Sequence, residues 1–201
     1  MHIAKATLES TTPYSQSKNI DPQEHPKKSK ETHDAYEQRT WRHRIHSNPE
    51  GFVEIPPTAF ANAVKSSARR LQTKVPGKGT TQYTKYFEAG VDVMSSLVLS
   101  VKTADIVMDR LFVPSDGKAG GGKRVYKNFP RVDKWRGVVT FLILDDIITQ
   151  DEFTKVLQNA GLLVGIGRFR PENRGFYGRF KVNAVEWTED GDAAAIGAAA
   201  E

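Results

Sequence analysis

The hydrophobic pattern opens with a period of two. In residues 2–10, HIAKATLES, Ala4, Ala6 and Leu8 alternate with Lys5, Thr7 and Glu9, which predicts a half-buried strand ending at the polar turn Ser10–Pro13. Residues 52–56, FVEIP, read as a second short strand. The period then becomes helical. After Pro56 and Pro57, the segment TAFANAVKSSARRLQ places Phe60, Val64, Ala68 and Leu71 on one stripe, with Lys65, Arg69 and Arg70 off it. The helix is expected to end near Pro76-Gly77, and β-like runs follow at 90–101 (GVDVMSSLVLSV) and 111–113 (LFV).

The C-terminal part is the most legible. Residues 137–144, GVVTFLIL, form an apolar run suited to a buried central strand. Thr149-Gln150-Asp151-Glu152 then matches a capping box, opening a helix with Phe153, Val156, Leu157 and Ala160 on one side and Gly161 as its expected stop. LLVGIG leads into RFRPENRGFYGRFKVNAVEW, whose second half alternates like a strand. Strand, capped helix, glycine-rich loop and strand make half of a ferredoxin-like arrangement. The expected fold class is therefore α+β: a ferredoxin-like (RRM-like) antiparallel sheet with helices on one face and a long basic arm or insertion. That arm is residues 14–50, which hold almost no aliphatic side chains and cannot form a core of their own. The division expected is a single domain over 1–187 and a flexible, acidic, alanine-rich tail over 188–201.

Composition adjusts this picture in three ways. At 201 residues one domain suffices, and 38% hydrophobic content is low enough to imply a notable share of loop or arm. Lysine and arginine number 29 against 24 acids, and four of those acids (Glu189, Asp190, Asp192 and Glu201) lie in the tail, which has no base. A basic body with an acidic tail favours a polyanion partner, and the tail resembles the partner-recruiting tails of single-strand DNA-binding proteins, which implies a protein partner for it. The absence of cysteine rules out disulfides and thiolate-ligated zinc and suits a reducing cytoplasm. No apolar run approaches the roughly 18 residues of a membrane span, and the N-terminus has no apolar signal core, so a cytoplasmic protein without a membrane partner is expected.

The densest candidate chemistry is residues 165–181, GIGRFRPENRGFYGRFK, with Arg168, Arg170, Arg174 and Arg179 among glycines that permit close approach to phosphates. Phe169 and Tyr177 are the stacking candidates there, and arginine both pairs with phosphate and stacks on bases. A tight hairpin with core aromatics and solvated arginines explains the same letters. The second cluster is 117–136, GKAGGGKRVYKNFPRVDKWR, in which Lys118, Lys123, Arg124, Lys127, Arg131, Lys134 and Arg136 face one acid, Asp133. Gly117–Lys123 spells GxxxxGK, but Arg124 stands where a P-loop needs Ser or Thr for magnesium, and Pro130 breaks the helix that should follow. A flexible basic loop laid along a phosphate backbone is the expectation instead.

A third cluster, RTWRHRIH at 39–46, supplies Trp41, Arg42 and Arg44, and the helix adds Arg69. His43 and His46 are three apart without a third ligand at a defined spacing, so neither a metal nor another cofactor is expected. No Ser sits in a Gly-x-Ser-x-Gly elbow, and nothing in the sequence calls for an enzyme, although His2, His43 or His46 leaves a metal-independent endoribonuclease as an alternative.

Three motifs resemble one family in the right order. They are the opening strand followed by ESTTPYSQSKN, the turn into a helix VEIPPTAFANAVKSSARRL, and the late loop GIGRFRPENRGFYGRFKV. Together they resemble the RAMP superfamily, whose members form the guide-RNA-binding backbone of CRISPR effector complexes. Pro57-Thr58 stands where that family usually has Gly-Ser. The resemblance implies a modified ferredoxin-like core, a projecting thumb or arm, and head-to-tail homo-oligomers along a single strand; the expected function is sequence-nonspecific binding of single-stranded RNA or DNA. A phage or mobile-element relative coating single-stranded DNA as a filament, or a phage assembly protein that meets protein instead, reads similarly.

Overall fold

The computed structural model describes residues 1–115 and 122–189. In chain order these form β1 (His2–Ser10), β2 (Tyr14–Ser15), α1 (His33–Thr40), β3 (Phe52–Ile55), α2 (Pro57–Leu71), α3 (Thr84–Gly90), β4 (Val91–Val93), β5 (Leu97–Lys102), β6 (Val107–Pro114), β7 (Arg124–Val132), β8 (Arg136–Ile143), α4 (Gln150–Asn159) and β9 (Phe180–Glu189). The main sheet has the order β4-β8-β1-β9 with every neighbouring pair antiparallel. Strand β1, helix α2, strands β4 and β8, helix α4 and strand β9 thus trace the βαββαβ path of a ferredoxin-like fold. The fold is α+β, with two further small antiparallel sheets, β2-β7-β6 and β3-β5, built from insertions.

The expected periodicities hold where one face is buried. Ala4, Ala6 and Leu8 of β1 are fully enclosed, and across the strand pair Val139, Phe141 and Ile143 of β8 face the same way. The two alanines leave room for bulky helix side chains: Phe60 and Val64 from α2, and Phe153, Val156 and Leu157 from α4, join them in one core. Pro57 occupies the first turn of α2, and Gln72 ends that helix in the left-handed region. Thr149 caps α4 by accepting from the Glu152 amide at 3.3 Å.

Several expectations need correction. Gly161 does not stop the second helix. The chain continues as a π turn over Ala160–Val164 and is closed by Gly165 at φ 74°. Gly161 is required for contact, since a β-carbon there would overlap the carbonyl oxygen of Phe180. The run 90–101 splits into β4 and β5, and 111–113 is the middle of the longer β6. The basic segment 117–136 is no flexible loop from Arg124 onward, where it forms strand β7, paired with β6 along its length.

The segment 14–50 docks rather than projects. Tyr14, Ile20 and Ile45 are buried anchors, β2 pairs with β7, and α1 packs against β7. Lys118 and the acids beyond Glu189 lie outside the described residues, whereas Thr188 and Glu189 belong to β9.

Candidate nucleic-acid interface

The glycine-rich loop between the π turn and β9 is stitched to the segment after β1. Arg168 donates its amide to the Ser15 carbonyl at 2.7 Å, Gly178 donates to Pro13 at 2.7 Å, and Ile166 donates to Gly178 at 2.9 Å. Gly165, Gly167 and Gly178 all have φ between 74° and 79°. A β-carbon on Gly167 would overlap the Ser15 oxygen, and one on Gly178 the Ile166 oxygen. These two glycines therefore let backbone approach backbone, where the sequence suggested an approach to phosphate. Phe169 and Arg174 also adopt positive φ, at 57° and 59°, a conformation that β-carbon-bearing residues hold only when the surroundings impose it.

This stitching shapes a cleft of about 400 Å³ bounded by Tyr14, Gln16 and Ser17, by the start of α2, and by the loop. From α2 and its N-cap it takes Pro56, Thr58, Ala59 and Asn62. The helix has no side-chain cap and no acid in its first turn, so the positive end of its dipole faces the cleft uncompensated. Arg168 and Arg170 line the same space, together with His46. Burial and the nearby Lys18 hold the His46 imidazole below its ordinary range, with Glu54 opposing.

Arg168 is the unusual cation. Burial, and then the charge of Arg44, depress its guanidinium, with Glu37 opposing. Its guanidinium lies 4.0 Å from the centroid of the Phe129 ring, and one nitrogen donates to the Asn128 carbonyl at 3.4 Å. A cation so placed, over an aromatic face and partly withdrawn from water, gains strongly from an arriving anion.

Of the other sequence candidates, some are committed elsewhere. Tyr177 is fully buried, and its hydroxyl donates to Asp109 at 2.6 Å, so it offers no face to a base and is a core residue of the cluster with Val113 and Phe129. Arg131 pairs with Asp109 at 2.6 Å and with Asp133. Arg44 is tied to buried Glu37 at 2.9 Å, Arg69 pairs with Glu88, and Arg179 donates to the Leu162 carbonyl. Trp41 and Arg42 stack on each other, and Arg42 donates to the Thr103 carbonyl, beside a separate hollow with His43. His43 stacks on His25 and lines that hollow, whereas His46 lines the cleft.

The structure does bring Arg168, Phe169 and Arg170 together at the cleft, with Arg174 exposed at the loop's outer turn. Arg170 is shared with Glu172 at 2.7 Å. Phe169 is half-buried and packs edge-on against the exposed Phe176. Lys123 and Arg124 are exposed at the start of β7, where Arg124 donates to the Phe112 carbonyl, and Lys127 donates to that of Ser115.

A feature unseen in the sequence sits beside them. Phe112 and Tyr126 face each other across the β6–β7 pair with ring centroids 5.0 Å apart, and both are about half exposed. Arg110 lies over Tyr126 at 4.1 Å and Arg124 over Phe112 at 5.2 Å. Only the strand register, Phe112 opposite Tyr126, reveals this platform. By contrast, the solvent face of the main sheet presents Lys5, Thr7, Val138, Thr140, Ala184 and Glu186, none of them aromatic, so it lacks the stacking surface of sheet-face RNA readers.

Among the described residues, no three His, Asp or Glu side chains are grouped to hold a metal ion, and no helix is long and apolar enough to cross a membrane. No family model and no curated protein matches the sequence. Solved structures do match. A chain of the cryo-EM structure of the Type III-B Cmr-beta bound to cognate target RNA superposes with a TM-score of 0.50 at 10% identity, over 94% of this chain and 61% of that one. The chain thus spans about three fifths of the length of the chain it matches. The likeness is one of fold, and it agrees with the α+β, ferredoxin-like path traced above.

Proposed function

We propose that this protein binds single-stranded RNA without cleaving it, with sugar-phosphate backbone in the cleft between α2 and the glycine-rich loop. The observation that carries the reading is the convergence there of an uncapped, acid-free helix N-terminus with Arg168 and Arg170. Arg174, Lys123 and Arg124 extend the positive surface, and the Phe112–Tyr126 platform offers a place for a base to stack. RNA is favoured over DNA because the matched chain comes from an assembly bound to target RNA. Head-to-tail assembly along the strand belongs to the same reading and rests on the family resemblance.

The test is fluorescence anisotropy with labelled single-stranded RNA, single-stranded DNA and duplex DNA across a range of salt. Tight, salt-sensitive binding to single-stranded RNA is expected. Replacing Arg170 and Arg174 together by alanine should weaken it for all sequences alike and reduce the slope of log affinity against log salt by about 1.4, since each phosphate contact on a single strand contributes roughly 0.7. An unchanged slope would remove the loop from the site. Absence of binding to any of the three would favour a protein partner for the basic surface.

A further inference from the structure

We infer that the cleft reads the edge of one nucleobase through the side-chain amide of Gln16. This deepens the proposed single-strand binding and rests on it. Gln16 lines the cleft while only 4% exposed, and neither its Oε1 nor its Nε2 has a hydrogen-bond partner. A buried amide with both ends unpaired is costly, and native structures keep one where water or a ligand completes it. The deficit continues around it. The Ser15 hydroxyl, both amide atoms of Asn128, Nε of Arg44 and one oxygen of Glu37 are buried without partners as well.

These unpaired groups come from the docked segment 14–50 and from β7, and Arg168 joins them to the cleft. Its guanidinium reaches the Asn128 carbonyl on one side, and the residue lines the cleft on the other. The chemistry of Gln16 suits a base better than a phosphate. Phosphate oxygens only accept, and the α2 terminus with Arg168 and Arg170 already supplies donors to them. An amide presents one donor and one acceptor in a plane, the pattern of base edges, and such bidentate pairs discriminate among bases. Phe169, half-buried, lines the same cleft and supplies an apolar face to it. A space of about 400 Å³ is of the size that encloses a small ligand.

The experiment uses the full chain and four labelled 12-nucleotide single-stranded RNAs, each composed of three bases and lacking a different fourth. For the native protein, one of the four, lacking the base that is read, should bind at least about tenfold more weakly than the others. Gln16→Leu, and Gln16→Met as a second variant of similar length, should bring all four within about twofold of one another. Their melting temperatures should be unchanged or raised, because the substitution ends two unpaired buried groups. Equal binding of all four RNAs by the native protein would overturn base reading and leave strand binding intact. A preference that survives in both variants would show that Gln16 is not the reader and that its amide is completed by water. No binding to any RNA would overturn the function proposed above and this inference with it.

Discussion

At Gly167 the loop and the segment after β1 meet with no room between them. The residue sits at φ 76°, and a β-carbon would strike both the Ser15 carbonyl and the Tyr14 ring. Gly167→Ala therefore combines left-handed strain with backbone overlap, and we expect a loss of about 2–4 kcal/mol, read from urea denaturation. Loss of under 1 kcal/mol would mean that the loop shifts freely and does not define the cleft. The same paired letters explain what the sequence hid at this scale. Phe169 and Tyr177 are both aromatics in a basic, glycine-rich stretch, yet one lines the cleft and the other is fully enclosed with its hydroxyl on Asp109. Their fates depend on β6, some 60 residues away in sequence, and local composition carries no trace of that partner. Gln16 is hidden in the sequence for a similar reason: an amide in a polar run signals nothing until burial strips it of water.

Among the elements, those that bury one face of a regular period were legible. β1, α2, β8 and α4 appear where the alternating or helical stripes put them, because a shared core rewards that period. α1 was not, since HDAYEQRT has no apolar stripe and is held by the Thr32 cap and by docking on β7. β7 was obscured by the glycines and lysines ahead of it, although Val125, Lys127 and Phe129 alternate with Tyr126 and Asn128. The paired strands β6 and β7 carry their own expectation. Phe112 and Tyr126 project to solvent, so replacing both by serine should leave the melting temperature nearly unchanged while weakening single-strand binding by about 1–3 kcal/mol for each base stacked there. Unaltered affinity would confine the interface to the cleft.

For the whole molecule, the two insertions complete each other. The segment between β1 and α2 pairs through β2 with β7 and through β3 with β5, both of which belong to the insertion between β4 and β8. Docking joins them to the ferredoxin-like unit: Ile45, Val53 and Ile55 from the first and Leu97, Leu99, Ile106 and Val132 from the second share one core with Phe60, Phe141 and Phe153. The cleft lies at the junction of the first insertion, α2 and the glycine-rich loop, which is why the three motifs that resemble a single family meet in space. The order of the motifs and the α+β class could be read in advance; the cleft could not, because it exists only once strand pairing brings residues 14–17 against 165–178. The most direct test of this account is photocrosslinking of bound 4-thiouridine-containing single-stranded RNA followed by peptide mapping. Crosslinks in 14–17, 58–62 and 165–176, with others in 122–127, are the expected result. Crosslinks concentrated instead on the open sheet face, at Lys5, Thr140 and Glu186, would contradict the assignment of the cleft.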